Sequence, residues 1–304
     1  MVSRRQFWVL VALTLMWGVN WPMMKLSLRE LSPLYFRALT MTGGALWLFF
    51  FFRARGVRMW PRWAAGGGEW RSVLLLGLPN ILGWHTLSIL GVSELASGRA
   101  AVLGFTMPIW TVLLGAAFFG QALTRRVSVA ALAAGIAVAL LLADELTSMT
   151  GRPLGIAWML VAAMCWALGT LMMRRAHLTL PVEALTVWMM GTSAALLWVA
   201  AAAMEPWPSW QFSPLMWGAL AFGVFINYGV AQIIWFGLAR HLPASTSAMS
   251  IMAIPVIGTL SATFITDEVP GWQDVLAVVF VMAAIAAVLL PAGALGRLRG
   301  RLGA

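Results

Sequence analysis

Apolar residues run along this chain in long, nearly uncharged stretches separated by short polar or Pro/Gly-rich breaks. A helix needs about 20 apolar residues to cross the hydrocarbon core of a bilayer. The pattern predicts an all-α polytopic membrane protein of ten transmembrane helices without a soluble domain. The predicted spans cover roughly residues 6 to 26, 32 to 52, 71 to 91, 97 to 119, 127 to 143, 154 to 174, 182 to 204, 214 to 238, 243 to 266 and 272 to 292.

Composition supports a membrane location. Of the 304 residues, 62% are hydrophobic and only 10% are charged, which is too little charge to cover the surface of a soluble domain. The single cysteine, Cys165, lies inside an apolar run, so we expect no disulfide and no metal site. Nothing in the sequence indicates a cofactor. The first apolar run is longer than a signal-peptide core, and we interpret it as the first span.

The distribution of charge predicts the orientation, because cytoplasmic loops retain Lys and Arg. With both termini in the cytoplasm, most arginines lie inside, including those of the 53–71 loop. The cations left on the other face are Lys25, Arg29, Arg37, Arg99 and Arg152. The acids expected beside them are Glu30, Glu94, Asp144, Glu145, Glu205, Asp267, Glu268 and Asp274. We expect Asp267, Glu268 and Asp274 to form an exposed outer turn.

The net charge of +10 does not indicate a nucleic-acid partner, because the basic residues are dispersed among short loops next to the membrane. Contact with anionic lipid explains them better. We therefore expect a bacterial inner-membrane protein whose partners are lipid and a small-molecule substrate. The sequence leaves the oligomeric state open, and a monomer would suffice.

The chain contains a weak internal repeat. Trp17 pairs with Trp166 at a shift of 149 residues, and Asn80 pairs with Asn227 at a shift of 147. Because each half holds five spans, the second half, 147–304, must enter the membrane upside down relative to the first, 1–146. Such inverted repeats commonly open a central cavity to alternate sides. The alternative is that duplication only built a larger bundle.

These features together resemble the EamA-type members of the drug/metabolite transporter superfamily. They are the two five-span halves, the tryptophans of spans 1 and 6, the prolines of spans 4 and 9, and the following Phe119-Gly120-Gln121 and Thr266-Asp267-Glu268. The subgroup suggested is that of the YddG aromatic amino acid exporters. The resemblance implies ten helices around a central cavity and outward movement of amino acids or related metabolites. The family's fourth span commonly ends in Gly-Glu, and Gly120-Gln121 departs from that pattern.

Polar and aromatic side chains at membrane depth are the candidates for a substrate site, because they are costly there unless paired or facing a cavity. The candidate substrate-binding residues are Trp17, Asn20, His85, Trp110, Trp166, Asn227, Tyr228 and Gln232. The two repeat-related amides, Asn80 and Asn227, have a second interpretation as hydrogen bonds that hold spans in register. The tryptophans also have a second interpretation, as packing or lipid-facing residues.

Pro108 and Pro255 occupy equivalent positions within spans 4 and 9, where each removes a helical hydrogen bond. We expect either gating at these points or static curvature. The sequence has no Gly-x-x-x-x-Gly-Lys-Ser/Thr loop of the kind that ATP-driven pumps use. Every Asp and Glu lies at a predicted span end or in a loop, so we expect no carboxylate-based proton exchange and facilitated efflux as the default mechanism. The rivals are a channel-like facilitator and a membrane enzyme. We expect His85 to donate a hydrogen bond to substrate instead of relaying a proton, since its repeat counterpart, Gln232, cannot titrate.

Overall fold

The computed structural model describes residues 4–63, 68–147, 151–239 and 253–289, and these residues form helices without any strand. Within those ranges, eight helices are long and apolar enough to cross a bilayer. They are α1 (Arg4–Ser27), α2 (Pro33–Ala54), α3 (Gly68–Glu94), α4 (Ser97–Phe119), α5 (Arg125–Thr147), α6 (Pro153–Arg175), α7 (Val182–Met204) and α8, whose three consecutive segments are Pro214–Ala221, Phe222–Val230 and Ala231–Ala239.

Two shorter apolar helices follow, α9 (Ile254–Ile265) and α10 (Trp272–Leu289). They lie where the ninth and tenth spans are predicted. The first part of the predicted ninth span, 243–252, is outside the described residues. The all-helical prediction is confirmed, and the number of ten spans stays a prediction.

Local sequence explains several helix ends. Pro33, Pro153 and Pro214 each occupy the first turn of a helix, where a missing N–H costs nothing. The Ser213 hydroxyl caps α8 by accepting a hydrogen bond from the Met216 N–H at 3.2 Å. Gly120 ends α4 in the left-handed conformation, with φ of 66°. Apart from the ninth span, whose first part is not described, the predicted spans match the helices to within a few residues, although α5 is longer than its predicted 127–143.

The two halves of the chain pack against each other through equivalent helices. α2 packs on α7, α4 on α9, and α5 on α10. The remaining large interfaces are also matched, because α1 packs on α8 and α9 whereas α6 packs on α3 and α4. Glycines allow close approach at these crossings; a side chain at Gly18 would collide with Ile257, and one at Gly91 with Met159.

Irregular backbone occurs at corresponding places in the two halves. The π-helical segment Leu78–Gly83 interrupts α3, and Phe222–Val230 interrupts α8; these segments contain Asn80 and Asn227. α4 breaks after Gly104 and restarts at Met107. Pro108 is thus the second residue of a new helical segment, as Pro255 is in α9. Segments of this kind inside helices are frequent at functional sites.

Polar contacts define two ends of the bundle. At the acidic face, the Arg99 guanidinium at the start of α4 bonds Asp144 and Glu145 of α5 and Asp274 of α10, and Arg152 before α6 pairs with Glu94 of α3. The opposite end is the basic face, and here Arg58 bonds the Glu69 carboxylate at 2.7 Å. The hydrogen bond to the Glu69 carboxylate raises the pKa of the Arg58 guanidinium.

The expected exposed turn of Asp267, Glu268 and Asp274 is wrong for two of its three members. Asp274 is buried against Arg99. A Glu268 carboxylate oxygen accepts hydrogen bonds at 2.8 Å from both the backbone N–H and the hydroxyl of Ser97. The reason is that α4 begins with unpaired N–H groups and a guanidinium, which attract carboxylates from the second half of the chain.

Candidate functional site

A buried polar cluster lies where the two halves meet. The Arg37 Nη1 of α2 donates a hydrogen bond to the Tyr228 hydroxyl of α8 at 3.0 Å. That hydroxyl lies 3.1 Å from His85 Nδ1 of α3. Arg37 and Tyr228 are each only 2% exposed. The cluster therefore joins α2 and α3 of the first half to the π-helical segment of α8.

Small residues on α2 make room for this contact. Arg37, Thr40 and Gly44 are three and seven residues apart, so they share one face of the helix. A side chain at Gly44 would collide with Tyr228, and one at Gly223 of α8 would touch Thr40. The close approach of α2 and α8 brings the phenol within reach of the guanidinium. A larger residue at Gly44 would push the two apart.

Hydrogen-bond chemistry assigns the direction of each bond in the cluster. Arginine has donors only, so the Tyr228 oxygen must accept from Arg37. The single hydroxyl proton of Tyr228 is then free to point at His85 Nδ1. In the tautomer that carries the imidazole proton on Nε2, Nδ1 accepts this hydrogen bond and His85 keeps one donor for another group.

The Arg37 guanidinium is incompletely satisfied. Its Nη2 donates to the Met24 thioether at 3.0 Å, and thioethers are weak acceptors. Its Nε is buried and has no hydrogen-bond partner among the described residues. All ten Asp and Glu residues lie in the described part of the chain, and none pairs with Arg37 there. The cluster therefore holds a positive charge that no protein carboxylate neutralises.

Aromatic rings adjoin the polar cluster. Trp84 precedes His85 in α3, and its ring lies 5.5 Å from Trp166 of α6 and 6.4 Å from Trp21 of α1. Trp21 in turn lies 6.3 Å from Phe105, at the break in α4. Rings at these distances pack edge to face. Helices α1, α3, α4 and α6 thus contribute an aromatic wall next to His85.

The structure brings some of the predicted site residues together. His85 and Tyr228 are in direct contact, and Trp166 reaches them through Trp84. Trp17 lies apart, and its ring packs at a tilt 5.5 Å from that of Trp235 of α8.

The remaining predicted site residues form no hydrogen bond with the cluster in the described ranges, although Asn227 directly precedes Tyr228. Asn20, Trp110 and Gln232 are half-buried, and Asn227 is buried. None of their side chains hydrogen-bonds to another residue in the described ranges. Asn80 likewise makes no such bond there, and its backbone packs tightly against Gly169. Interhelical hydrogen bonding by the two repeat-related amides, Asn80 and Asn227, is therefore not seen in these ranges.

Sequence reasoning missed Arg37, which it grouped with the cations of one membrane face. The side chain is instead buried inside the bundle, five residues into α2. Its isolation was the available signal, because Arg37 stands alone in an otherwise uncharged stretch between Pro33 and Phe52. An arginine inside a span needs an internal partner.

A cavity of about 250 Å³ opens at the acidic face, and none of the three side chains of the cluster lines it. Its lining residues come from α1, α2, α3 and the end of α9, and they are Lys25, Leu28, Arg29, Pro33, Ser93, Thr266 and Glu268. The Lys25 ammonium donates to the carbonyl oxygens of Val92 and Ser93 at 2.9 and 3.0 Å. Pro33 lies one helical turn before Arg37, and Lys25 directly follows Met24. The cavity is thus about one turn away from the Arg37 guanidinium.

The described residues contain no group of three His, Cys, Asp or Glu side chains able to hold a metal ion. The chemistry on offer is hydrogen bonding, one uncompensated positive charge and aromatic surface. These groups can bind a small organic molecule that has both a polar end and an apolar body.

Comparison with known proteins adds a family match. The model of the EamA-like transporter family matches twice, over residues 6–143 and 153–290. A solved crystal structure aligns over 93% of this chain and 96% of its own with a TM-score of 0.64 and 21% identity, which shows a shared fold.

Several curated relatives match along most of the chain. An uncharacterised transporter of Bacillus subtilis, YoaV, is 22% identical over 82% of this chain and 84% of its own. The uncharacterised inner membrane transporter YedA of Escherichia coli is 23% identical, over 93% and 90%. A protein of Escherichia coli named as a probable amino-acid metabolite efflux pump is 23% identical, over 93% and 94%.

Proposed function

This chain belongs to the EamA-like transporter family, and we propose that it exports amino acids with apolar or aromatic side chains, or related metabolites, across a bacterial inner membrane. The family and the named relatives are transporters, and the helices are those of a multi-pass membrane protein. The Escherichia coli relative named as a probable amino-acid metabolite efflux pump supports this choice of substrate. The resemblance of the sequence to the YddG aromatic amino acid exporters supports the same choice of substrate.

The observation that carries the proposal is the contact between Arg37, Tyr228 and His85, beside the aromatic wall that includes Trp84. Buried polar groups at membrane depth are costly and mark substrate pathways. The aromatic rings supply apolar contact for a side chain, and His85 Nε2 supplies a directed hydrogen bond. An amino acid with an apolar side chain matches both features.

We propose alternating access as the mechanism, with inverted halves 1–146 and 147–304 moving against each other. The double family match, the matched helix interfaces and the equivalent π-helical segments support duplication. Pro108 and Pro255, each at a helix restart, are the proposed hinges. The cluster joins groups from both halves, so relative movement of the halves would alter the site.

Transport of purified protein in liposomes tests this function. Liposomes preloaded with unlabelled phenylalanine or tryptophan should accumulate labelled amino acid transiently, and uptake should saturate. A carrier gives such counterflow because one site faces each side in turn. A channel-like facilitator would give flux that neither saturates nor shows counterflow. Absence of any protein-dependent flux across a panel of amino acids and hydrophobic metabolites would contradict the proposal, and chemical conversion of a solute would indicate an enzyme.

We further propose that both termini and the basic face are cytoplasmic, as the positive-inside bias predicts. In a Cys165→Ser background, a cysteine replacing exposed Trp63 should resist an impermeant thiol reagent in intact cells. A cysteine replacing exposed Trp207, which follows α7 next to the acidic face, should react. The reverse pattern would invert the proposed orientation.

A further inference from the structure

Arg37 has no carboxylate partner in the described ranges, whereas the ion-paired arginines each have at least one. Arg99 bonds three carboxylates, and Arg58 and Arg152 bond one each. Arg37 is more deeply buried than any of these three, yet its partners are a phenol and a thioether. An isolated buried charge is strongly disfavoured unless an opposite charge joins it. We therefore expect an anionic ligand to bind next to Arg37.

The geometry of the guanidinium defines what that anion should be. Nε and Nη2 form one edge of its planar fork, and Nη1 is already held by Tyr228. In the described part of the chain, Nε has no partner and Nη2 has only the Met24 sulfur, which a stronger acceptor can displace. A carboxylate presents two oxygens at the spacing of this edge and binds it with two parallel hydrogen bonds.

The surroundings provide access and a place for the rest of the ligand. The cavity at the acidic face holds Lys25 and the exposed Arg29, and it lies about one turn from Arg37. Positive charge on its wall favours approach of an anion. Glu268 on the same wall can attract an ammonium group. On the inner side, the half-buried Trp84 packs against the buried Trp21, and its ring is the apolar surface next to His85.

We propose that Arg37 binds the carboxylate of the transported solute through Nε and Nη2, while Tyr228 and His85 hold the guanidinium in place. The ligand class is an organic carboxylate with an apolar or aromatic body, which includes amino acids with a free α-carboxylate. Amines and amides of the same shape should bind more weakly, because they leave the charge of the arginine without a counter-charge. This assignment rests on the proposed function for its role in transport, and it is testable by binding alone.

Binding to purified protein decides the assignment. The probes are phenylalanine, phenylpropionate, phenylalaninamide and phenethylamine, measured by calorimetry in detergent. The two carboxylates should bind at least about tenfold more tightly than the amide and the amine, because a charge-assisted bidentate contact is lost. Arg37→Met should abolish this preference. Arg37→Lys should weaken carboxylate binding, since a lysine keeps the charge but not the fork.

Arg152→Met is the matched control, because Arg152 is an exposed arginine near the same face. It should leave the affinity for all four probes unchanged. Monodisperse elution of every variant shows that the fold persists, and Arg37→Lys covers the case in which Arg37→Met does not fold. Equal affinity for phenethylamine and phenylalanine overturns the proposal. Carboxylate binding that is unchanged in both Arg37 variants, or undetectable in the native protein, does so too.

A chloride titration separates an organic carboxylate from any small anion. Chloride that competes with phenylpropionate only weakly supports the proposal, whereas chloride that binds Arg37 as tightly overturns it. Liposome transport of the same probes tests the function separately. Arg37-dependent carboxylate binding without any flux would retain the site and refute the transporter role assigned to it. Flux of amines that ignores Arg37 substitution would retain transport and refute the site.

Discussion

Arg99 and Arg37 lie in two regions of the bundle that treat a positive charge in opposite ways. At the acidic face, three carboxylates lie 2.5–2.6 Å from the Arg99 nitrogens and connect α4 to α5 and α10. In the interior, Arg37 connects α2 to α8 through a neutral phenol and leaves Nε free. Arg99 thus holds helices together through ion pairs, whereas the charge of Arg37 has no ion-pair partner in the described residues.

Burial explains the difference. The Arg99 side chain is 15% exposed at the first turn of α4, where acids at the ends of α5 and α10 meet it. Arg37 is only 2% exposed, and an acidic partner beside it would also have to be buried at high cost. Acids are found at helix ends and in loops throughout the described chain. Arg37 therefore has no acidic partner in these ranges.

The largest expected effect is on stability, and it distinguishes the two arginines. Arg99→Met should reduce the free energy of unfolding by about 2–3 kcal/mol, because it leaves three carboxylates without their cationic partner. The loss should be smaller than for a fully buried ion pair, because the Asp144 side chain is 26% exposed. Arg37→Met should be neutral or slightly stabilising in the absence of substrate, since it removes a charge without a counter-charge. Thermal unfolding in detergent measures both. Equal losses would show that Arg37 is a structural residue.

Removal of the Tyr228 hydroxyl should affect transport more than folding. Tyr228→Phe frees the Arg37 guanidinium from its anchor, so we expect KM for a carboxylate substrate to rise about tenfold. The other tyrosine of the chain gives the matched control, because Tyr35 is equally buried but packs among tryptophans at the start of α2. Tyr35→Phe should leave KM within about twofold. A similar rise in both variants would point to general loosening of α2.

Replacement of His85 tests proton coupling and should have a smaller effect. His85→Gln keeps a hydrogen-bonding group, so substrate counterflow should persist within about threefold. Neither protein should accumulate substrate when only a pH gradient is imposed on the liposomes. Gradient-driven accumulation that disappears in His85→Gln would instead make His85 a coupling residue and identify the cluster as a proton pathway.

The smallest expected effect lies on the exposed surface of the acidic face. Hydrogen bonds from Ser213 lower the pKa of the Glu30 carboxyl. A lowered pKa in the folded state means that the contact stabilises above the usual glutamate pKa and is lost as the pH falls through the folded value. Ser213→Ala should therefore lower the unfolding midpoint slightly at pH 7, partly by removing a helix cap, and less at pH 3. A loss that does not change with pH would assign the whole effect to the cap.

Parts of the site could be predicted because membrane depth can be read along one dimension. His85 and Tyr228 stand out as polar groups inside apolar stretches, and they prove to be neighbours. Arg37 has the same signature, but its nearness to a predicted span end obscured it. The wall formed by Trp21 and Trp84 could not be selected from 18 tryptophans, because ring packing depends on how four helices cross.

The sequence by itself determined the helices, their apolar character and the matched positions of Pro108 and Pro255, because these follow from local hydropathy and backbone chemistry. Only the tertiary structure decided which charges meet. Glu268 reaches Ser97 and Asp274 reaches Arg99 across more than 170 residues of sequence. Tyr228, at a similar separation, takes the place beside Arg37 where an acid would have neutralised it. Pairing of buried charges depends on distance in three dimensions, and nothing in the order of residues along the chain specifies that distance.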